Sequence, residues 1–565
     1  MYFFKKHFLL SFGLLLMLSA CGGGGVGDGS VGDGGGGGSV STPDTTAPNV
    51  LSTTPADSAT SVARNSAITA TFDEDIFATT VDATSFTLTD SGSIFGTVTF
   101  DAATNVATNS RPFNLSILRT YNATLSTAIT DLSGNPLATD YNWSFTTADG
   151  AWQSGAGIEA GTLLAFTPKI DIDYNGNAIA VWAQRDDPAD VNHLSIYANR
   201  YNASTGAWGA AIEIENDSLT TRSPQMVMDN NGNALAVWTQ GSKVYANRYN
   251  LTSDTWGTEV LISVTDGYGP QIAVSLATND AMIVFHSNTT KDVLASEYDS
   301  ISSTWGTPEV ISSTVTDSTN AQIAMNFDGD AVVVWASNDA SGVGHGVSSN
   351  FFNSTTGTWK AAAVQVESTI SNTNAPQVAF DRFNQGLVVW ESGGSSNLLA
   401  RRSNINGAWG TAKPIESGSG KASNLQIVAD FNGDALAVWI QVDGVFPNFE
   451  SNVYWNRYDH DTDMWGTEFL LETEPGNADT PQISLDARGN ALAVWRQVDG
   501  TARIYSSRYV ATTGLWGAAE LLSSVIDGAA PNPQIAVDLT GVAAAVWLES
   551  DGSGSSNNVI SSNFE

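Results

Sequence analysis

The sequence predicts an all-β protein in which a small β-sandwich precedes a β-propeller of eight four-stranded blades. The main observation is a segment of about 52 residues that occurs eight times between Trp152 and Glu565. Repetition at such a period is typical of propellers and solenoids, in which each copy is one unit of secondary structure. The second observation is that residues 44–148 alternate β-branched and polar residues between regularly spaced turn residues, as the strands of a small sandwich do.

The N-terminal segment has the features of an export signal. Lys5 and Lys6 precede an apolar run over residues 8–18, which is too short to span a bilayer as a helix. The run ends in the sequence LSAC at Cys21, which resembles the lipobox of bacterial lipoproteins. The resemblance implies that residues 1–21 are a lipoprotein signal peptide and that lipidated Cys21 anchors the protein to a membrane, with the following glycine favouring the outer membrane. The alternative is an ordinary secretory signal that contains a cysteine by chance.

Composition narrows the possible partners. Residues 22–43 are almost entirely Gly, Ser, Val and Asp, which is typical of a flexible tether. The 58 Asp and Glu residues outnumber the 23 Lys and Arg residues, and the resulting formal charge of −35 argues against binding to nucleic acid or to anionic lipid headgroups. Cys21 is the only cysteine, so an exported form has no disulfide framework. We expect a monomer without a cofactor or a bound metal ion.

Residues 44–148 form the first folded unit of the prediction. Turn residues occur about every ten positions and separate strand candidates such as SAITATF (66–72), SFTLTD (85–90) and GTVTF (96–100). The segments 44–76 and 121–147 resemble the SbsA-like bacterial Ig-like domains of surface-layer and outer-surface proteins, and residues 107–118 depart from the pattern of that family. The resemblance implies an Ig-like β-sandwich that serves as a spacer or adhesive module and has no catalytic residues.

Residues 149–565 form the repeat body. The clearest copy reads PQMVMDNNGNALAVWTQ (224–240), VYANRYN (244–250) and TWGTEVLI (255–262). Each copy therefore offers four strand candidates, with a D-x-x-G-N turn between the first two, which is the pattern of a propeller blade. The apolar second strand has no polar face, so it needs neighbours on both sides. Because the body begins at the Trp-Gly strand of Trp152 and ends on a VYANRYN-type strand (558–565), we expect both ends to complete one blade. A seven-bladed ring with one irregular unit, or another β-repeat arrangement, is the alternative.

Two tryptophan series mark the period and use fifteen of the seventeen tryptophans, so the aromatic content does not require a cofactor pocket. One series ends the second strand, with Phe285 in the third copy: Trp182, Trp238, Trp335, Trp390, Trp439, Trp495 and Trp547. The other opens the fourth strand: Trp152, Trp208, Trp256, Trp305, Trp359, Trp409, Trp465 and Trp516.

The repeat words resemble several known propeller patterns. The T-G-x-W-G word is similar to the tryptophan-docking repeat of quinoprotein-type propellers, and D-x-x-G followed by tryptophan is similar to the Asp-box of sialidases. Neither pattern matches fully, since the Asp-box serine and its spacing are absent. The repeats resemble more closely a group of uncharacterised bacterial surface proteins with DxxGNAxAVW words, which implies no particular activity.

Candidate chemistry is sparse in this sequence. Asp171, Asp173 and Asn175 match the opening of a calcium-binding loop, but Trp182 stands where the bidentate glutamate belongs, so a hairpin turn explains them better. The sequence contains no HExxH motif, nucleophile elbow, phosphate loop or dinucleotide fingerprint. Five copies share an arginine at one position, which indicates exposed edge strands or ion pairs between blades, or a carboxylate-binding cluster: Arg200, Arg248, Arg402, Arg457 and Arg508.

The connections between strands indicate which face binds a ligand. In an up-and-down blade they alternate between two faces, so the short D-x-x-G-N and Thr-Gly turns share one face, which we expect to be a structural underside. The opposite face receives the variable connections 184–195, 336–346 and 441–452. Variable loops on a rigid scaffold often carry function, so we predict the ligand-binding site there, although tolerated insertions are the alternative. The candidate residues are Asp186, Asp187, His193, Asp443, Phe446, Phe449 and Glu450.

Two classes of function remain open. One is a surface-exposed lipoprotein that acts as a binding, adhesion or envelope structural module and recognises a glycan or a surface protein. The other is an exported carbohydrate-active enzyme, either a glycosidase or a lyase, with a sialidase-like propeller. A glycosidase needs two carboxylates roughly 5–9 Å apart in a pocket, which would distinguish the two classes.

Overall fold

The computed structural model describes residues 43–565 with internal gaps. The residues left out are 1–42, 91–92, 95, 112–113, 160, 162–163, 186–192, 217–218, 313–317, 339–344, 368–373, 394–396, 419, 446–447, 524–531 and 551–556. Residues Ala47–Glu565 belong to one compact unit. The expected signal peptide, Cys21 and nearly all of the tether therefore lie outside the described residues. No helix in the described part of the chain is long and apolar enough to cross a membrane.

An Ig-like β-sandwich comes first, as the alternating pattern predicts. Its two sheets have the strand orders β1-β3-β7-β6 and β2-β9-β8-β4-β5. Alternate residues of these strands point into a shared core that includes Phe72, Phe86, Tyr121, Trp143 and Phe145. The strands are β1 (Val50–Thr54), β2 (Ala59–Val62), β3 (Ile68–Phe72), β4 (Phe86–Thr89), β5 (Ser93–Ile94), β6 (Thr97–Asp101), β7 (Val106–Ser110), β8 (Thr120–Leu125) and β9 (Tyr141–Thr147), with one 3-10 turn, η1 (Ala78–Thr80).

The described residues after Asp149 form eight further antiparallel sheets, which are the propeller blades. The first strand in the chain, β10 (Ala156–Gly157), belongs to blade 8. Blade 1 contains β11 (Ala165–Ile172), β12 (Ala178–Gln184), β13 (Ser195–Asn202), β14 (Ala207–Trp208) and β15 (Ile212–Glu213). Blade 2 contains β16 (Thr221–Met228), β17 (Ala234–Gln240), β18 (Lys243–Asn250), β19 (Thr255–Trp256) and β20 (Val260–Leu261). Blade 3 contains β21 (Tyr268–Val274), β22 (Ala281–His286), β23 (Val293–Asp299), β24 (Thr304–Trp305) and β25 (Glu309–Val310).

The remaining blades repeat this order. Blade 4 contains β26 (Ser318–Met325), β27 (Ala331–Asn338), β28 (His345–Asn353), β29 (Thr358–Trp359) and β30 (Val364–Glu367). Blade 5 contains β31 (Asn374–Phe380), β32 (Gly386–Ser392), β33 (Asn397–Arg402) and β34 (Lys413–Pro414). Blade 6 contains β35 (Ala422–Ala429), β36 (Ala435–Val445), β37 (Asn448–Asp459), β38 (Met464–Trp465) and β39 (Phe469–Leu470). Blade 7 contains β40 (Asn477–Leu485), β41 (Ala491–Asp499), β42 (Thr501–Val510), β43 (Leu515–Trp516) and β44 (Glu520–Leu521). Blade 8 contains β45 (Gln534–Val537), β46 (Ala543–Ser550) and β47 (Asn557–Phe564) together with β10.

The ring is closed by both ends of the repeat body, as expected. Trp152 bridges Phe564, and β10 pairs antiparallel with β47, so residues from the start of the body supply the outer strand of blade 8. The first strand of each blade contacts the first strand of the next, and β45 contacts β11 to complete the circle. The fold is therefore an eight-bladed propeller.

The second strand of each blade forms the core between neighbouring blades. All seven residues of β17 are buried, as expected for a strand covered on both faces. Trp238 at its end is 0% exposed, and its indole Nε1 donates to Gln240 Oε1 at 2.7 Å. The Trp-Gly tryptophans occupy a different environment, since Trp256 is only half-buried and packs on Tyr249 with ring centroids 5.7 Å apart.

The fourth strand is interrupted rather than continuous. In blade 2 its first part pairs with the end of β18 and its second part with the beginning of β18. Between the two parts, the side chain of Asn247 donates to the carbonyl of Gly257 at 3.1 Å and to that of Ile214 in blade 1 at 2.8 Å. This asparagine therefore joins blade 2 to the preceding blade, and blades 1, 4 and 6 show the same pair of bonds.

Candidate functional site

The two kinds of short turn lie on one face of the ring, as their parity predicts. The amide of Ala203, in the turn after β13, donates to Asn177 Oδ1 in the turn after β11 at 3.1 Å. Leu251 and Asn233 make the same bond in blade 2. We call this side, which carries the D-x-x-G-N turns, the turn face. The opposite side, which carries the connections between second and third strands, is the loop face.

The aspartates that open the D-x-x-G-N turns stabilise these turns by accepting hydrogen bonds from residues of the same turn. Asp229 Oδ1 accepts hydrogen bonds from the amides of Asn231 and Asn233 at 2.8 and 2.9 Å, and its Oδ2 accepts from Asn233 Nδ2 at 2.9 Å. Gly232 adopts a φ of 77°, which side-chain-bearing residues rarely adopt. The same bonds recur at Asp173, so a hairpin turn accounts for the calcium-like sequence of blade 1.

The structure describes four of the seven predicted site residues. Asp186, Asp187 and Phe446 lie outside the described residues. His193 is half-buried just before β13 in blade 1, whereas Asp443, Phe449 and Glu450 lie in blade 6. The fold therefore brings the three blade 6 residues together and places His193 apart from them, with blades 7 and 8 between.

The blade 6 residues lie on a hairpin and not in a loop, which corrects the expectation for residues 441–452. Strand β36 has 11 residues, whereas the second strands of the other blades have six to nine. Pairing continues through Asp443 opposite Glu450 to Val445 opposite Asn448. The variable segment is thus a regular two-stranded extension of the blade on its loop face.

The hairpin carries an exposed aromatic ring on one face and two carboxylates on the other, because neighbouring residues of a strand point to opposite faces. Phe449 is 53% exposed, and Glu450 next to it is also exposed. Asp443 is fixed in place, since it accepts hydrogen bonds from Asn452 Nδ2 at 3.1 Å and from Tyr454 OH at 2.8 Å. Burial and the bond to Asp443 raise the pKa of Tyr454 to about 12, so its hydroxyl stays protonated and keeps donating.

A cavity lies at the centre of the turn face, and it was not predicted from the sequence. It has a volume of about 310 Å³ and is lined by all eight blades. Much of its wall comes from the residue that follows the first turn position in each blade: Tyr174, Asn230, Leu276, Phe327, Arg382, Phe431, Ala487 and Leu539. The residue at this position differs among the eight repeats when they are aligned. This variation is the sequence feature from which the cavity could have been predicted. The turn face is therefore not only a structural underside.

Burial raises the pKa of five carboxyl groups that line this cavity, those of Asp171, Asp173, Asp430, Asp486 and Asp538. Burial raises the pKa of Asp171 to about 6, although its oxygens accept hydrogen bonds from the amides of Ile172 and Met228 at 2.9 and 2.7 Å. Burial also raises the pKa of Asp538 to about 7 against the hydrogen bonds from Thr540 and Val542.

The shared arginine position connects neighbouring blades. The Arg200 guanidinium lies 6.0 Å from the ring centre of Tyr249 and 3.9 Å from Asp254, both in blade 2. Arg402 in blade 5 makes the same kind of contact with Tyr458 in blade 6. Arg457 instead pairs with Asp434 of its own blade. The five arginines are spread around the ring, so they do not form one carboxylate-binding cluster.

The Ig-like domain packs on the turn face beside the cavity. The Ile117 amide donates to the carbonyl of Thr540 at 2.9 Å. Arg64 Nη2 donates to Thr540 Oγ1 at 2.9 Å, and Arg488 Nη1 donates to Ser116 Oγ at 2.9 Å. Arg488 also forms an ion pair with Asp90 of the Ig-like domain. The domain thus covers the ends of blades 7 and 8.

Comparisons with known proteins address the two domains separately. Residues 44–147 match the family model of the bacterial Ig-like domain. No curated protein matches the chain. Similar solved structures include the Dos1 propeller, with 8% identity, a TM-score of 0.44 and coverage of 74% of this chain and 95% of that chain.

Two further structures are similar to this chain. A protein of unknown function from Dyadobacter fermentans has 10% identity, a TM-score of 0.37 and coverage of 74% of this chain and 99% of that chain. A PL25 ulvan lyase bound to an oligosaccharide has 12% identity, a TM-score of 0.39 and coverage of 73% and 95%. The propeller assignment rests on the strand pairings, and the chain combines a bacterial Ig-like domain with an eight-bladed propeller.

Proposed function

We propose that the protein is a lipid-anchored surface protein that binds a glycan or a neighbouring surface protein through the loop face of its propeller. The β36–β37 hairpin of blade 6 carries this proposal, because it holds Asp443, Phe449 and Glu450 on a paired backbone. The exposed ring of Phe449 offers a sugar a stacking surface on one face of this rigid element, and Asp443 and Glu450 offer hydrogen-bond acceptors for hydroxyl groups on the other face.

The carboxylates of the central cavity favour binding over catalysis. Asp173, Asp229 and Asp486 each accept hydrogen bonds from the amides and the asparagine side chain of their own turn. A carboxylate that holds its own backbone in this way has its lone pairs occupied. Such a group is poorly suited to act as a nucleophile or as a base toward a substrate.

One observation favours a carbohydrate-active enzyme as the second candidate. Asp171 and Asp538 lie in adjacent blades at the cavity, and their raised pKa values let them keep a proton near neutral pH, as a general acid must. Release of sugar products from a polysaccharide panel would support the enzyme, provided that Asp538→Asn abolishes it. We expect no such release.

The lipid anchor of the proposal rests on the LSAC sequence that ends at Cys21. The Gly-rich segment 22–43 would then separate the folded domains from the membrane by roughly 25 Å, the mean span of a flexible chain of about 20 residues. An Ig-like domain between tether and propeller serves as a spacer.

A binding experiment tests the role of the hairpin. The full chain in detergent micelles is screened against immobilised glycans, and the strongest ligand is titrated against variants. Phe449→Ala should weaken its binding at least about tenfold, or about 1.4 kcal/mol, because the stacking surface is lost. Phe77→Ala removes an exposed phenylalanine from the Ig-like domain and should leave affinity unchanged. Equal affinities for the wild type and Phe449→Ala would refute the proposed site.

A further inference from the structure

The first strands of the eight blades surround the propeller axis and share one polar position. It lies opposite a valine of the second strand in every blade, for example Lys169 opposite Val181 and Gln225 opposite Val237. Seven blades have glutamine at this position and blade 1 has lysine. The eight residues, which we call the amide ring, are Lys169, Gln225, Gln271, Gln322, Gln377, Gln426, Gln482 and Gln534.

A backbone irregularity precedes the amide ring in the blades. The register of the first and second strands shifts just before Lys169 and just before Gln225. Within the shifted segment, Thr167 and Ser223 adopt φ angles of 48° and 55°, which residues with side chains rarely adopt. Local strain of this kind that recurs at one level of the ring sets the position of the side chains that follow it.

Most side chains of the amide ring have spare hydrogen-bonding capacity. All eight are half-buried, so each keeps some contact with solvent at the centre of the ring. Gln482 and Gln534 donate Nε2 to the carbonyl of the preceding proline at 2.8 Å. The other five glutamine side chains have no hydrogen-bond partner among the described residues. Convergent amides with unused donors and acceptors can bind a polar solute.

Lys169 is the one charged member of the amide ring. Its Nζ donates to Gln534 Oε1 at 2.9 Å, and within the described chain it forms no ion pair. Burial lowers its pKa to about 8, so the ammonium is still the main form at neutral pH. A buried cation is normally paired with an anion, and this one has only an amide oxygen.

The central cavity begins two residues beyond Lys169 on the same strand. Asp171 lines the cavity and lies two residues further along β11, which is about 7 Å at the rise of a β-strand. Arg382 of blade 5 lines the cavity on the opposite side of the ring from blade 1. The same lining holds six aspartates, so the positive charge that attracts an anion to the amide ring comes from Lys169 itself: Asp171, Asp173, Asp229, Asp430, Asp486 and Asp538.

We propose that the amide ring binds a small hydroxylated carboxylate of the sugar-acid class, with Lys169 pairing with the carboxylate and the glutamine side chains hydrogen-bonding the hydroxyl groups. This site is separate from the loop-face hairpin, so either proposal can fail alone.

Calorimetric titration of the full chain in detergent micelles tests the proposal, with glucuronate, inorganic phosphate and glucose as probes. Lys169→Gln makes the ring uniform with a side chain that seven blades already accept, so the fold should persist. We expect glucuronate binding that weakens at least about tenfold in this variant. Lys243→Gln, which changes a half-buried lysine of β18, should leave glucuronate binding unchanged.

The pH dependence provides a second readout of the same site. Affinity for glucuronate should fall as pH rises through about 8, because Lys169 then loses its charge. Asp171 on the same strand, Arg222 on β16 and Glu549 on β46 are the other ionisable side chains on β11 and the described strands packed against it, and Asp538 directly follows β45. Burial raises the pKa of Asp171 to about 6 and that of Asp538 to about 7, so the fall in affinity that reports Lys169 is the part that is lost in Lys169→Gln. Absence of glucuronate binding, equal affinity in Lys169→Gln, or tighter binding of phosphate than of glucuronate would overturn the proposal.

Discussion

Trp238 and Trp256 represent the two tryptophan positions of each repeat, and they differ in burial. Trp238 is fully buried between blades, so Trp238→Ala should lower the free energy of unfolding by about 3–5 kcal/mol. Trp256 is half-buried on Tyr249, so Trp256→Ala should cost clearly less. Urea unfolding followed by circular dichroism measures both losses. Equal losses of unfolding free energy in Trp238→Ala and Trp256→Ala would show that the difference in burial does not distinguish the two tryptophan series.

Glu472 makes stability depend on pH. Its side chain is 2% exposed, and burial, with a smaller effect of the charges of Glu474 and Glu450, raises its pKa from 4.5 to about 7. The folded state therefore holds this proton more tightly than the unfolded state, so the contribution of Glu472 to stability falls as pH rises from 4.5 to 7. Glu472→Gln should raise the free energy of unfolding at pH 8 relative to wild type and change it little at pH 4.

Glu468 in the same blade provides the control for this prediction. Despite some burial, hydrogen bonds from Ser417 hold its pKa below the ordinary value. Glu468→Gln should therefore lose stability at pH 8. A benefit of Glu472→Gln that is the same at pH 4 and pH 8 would contradict the assignment of the raised pKa to Glu472.

At the scale of elements, the repeated motifs correctly predict those strands whose pattern is visible within a single repeat. The apolar run at residues 234–238 predicts a fully buried second strand, which the structure confirms. The break of the fourth strand was not predicted, and it does not depend on one residue type, because Asn247 bonds to a carbonyl at the break in blade 2 whereas Ser296 and Ser507 do so in blades 3 and 7. The amide ring and the cavity were also missed, since their side chains meet only when eight equivalent strands surround one axis.

The contact between the Ig-like domain and the propeller depends on side chains far apart in the sequence. Arg488 bonds to Ser116 and pairs with Asp90, which should hold the Ile117 amide against Thr540. Arg488→Ala should therefore speed hydrogen exchange of the Ile117 amide, measured by mass spectrometry, with the exchange of the blade cores unchanged. Arg457→Ala, which removes an ion pair to Asp434 within blade 6, should leave Ile117 protected. Unchanged exchange in Arg488→Ala would mean that other contacts hold the domain.

At the scale of the whole molecule, the sequence predicts the ring because both ends carry ordinary repeat strands. Trp152 packs on Phe564 with ring centroids 5.4 Å apart, so the closing blade has the same aromatic contact as the internal blades. The turn face holds the cavity and the Ig-like domain, and the loop face holds the hairpin. Because successive strand connections alternate between the two sides of the ring, the sequence predicted these two faces. It could not show that a second domain packs on one of them.

The membrane anchor determines how this two-faced molecule is presented. If Cys21 is lipidated, the attachment point lies before the Gly-rich tether and both folded domains follow it. Cys21→Ser should then move the protein from the membrane fraction to the soluble fraction, because a serine in the lipobox cannot accept the lipid, and labelled palmitate should enter only the wild type. The variant should keep the unfolding curve of the wild type, since Cys21 precedes both folded domains. A Cys21→Ser protein that still sediments with membranes would show that something other than the lipobox anchors it.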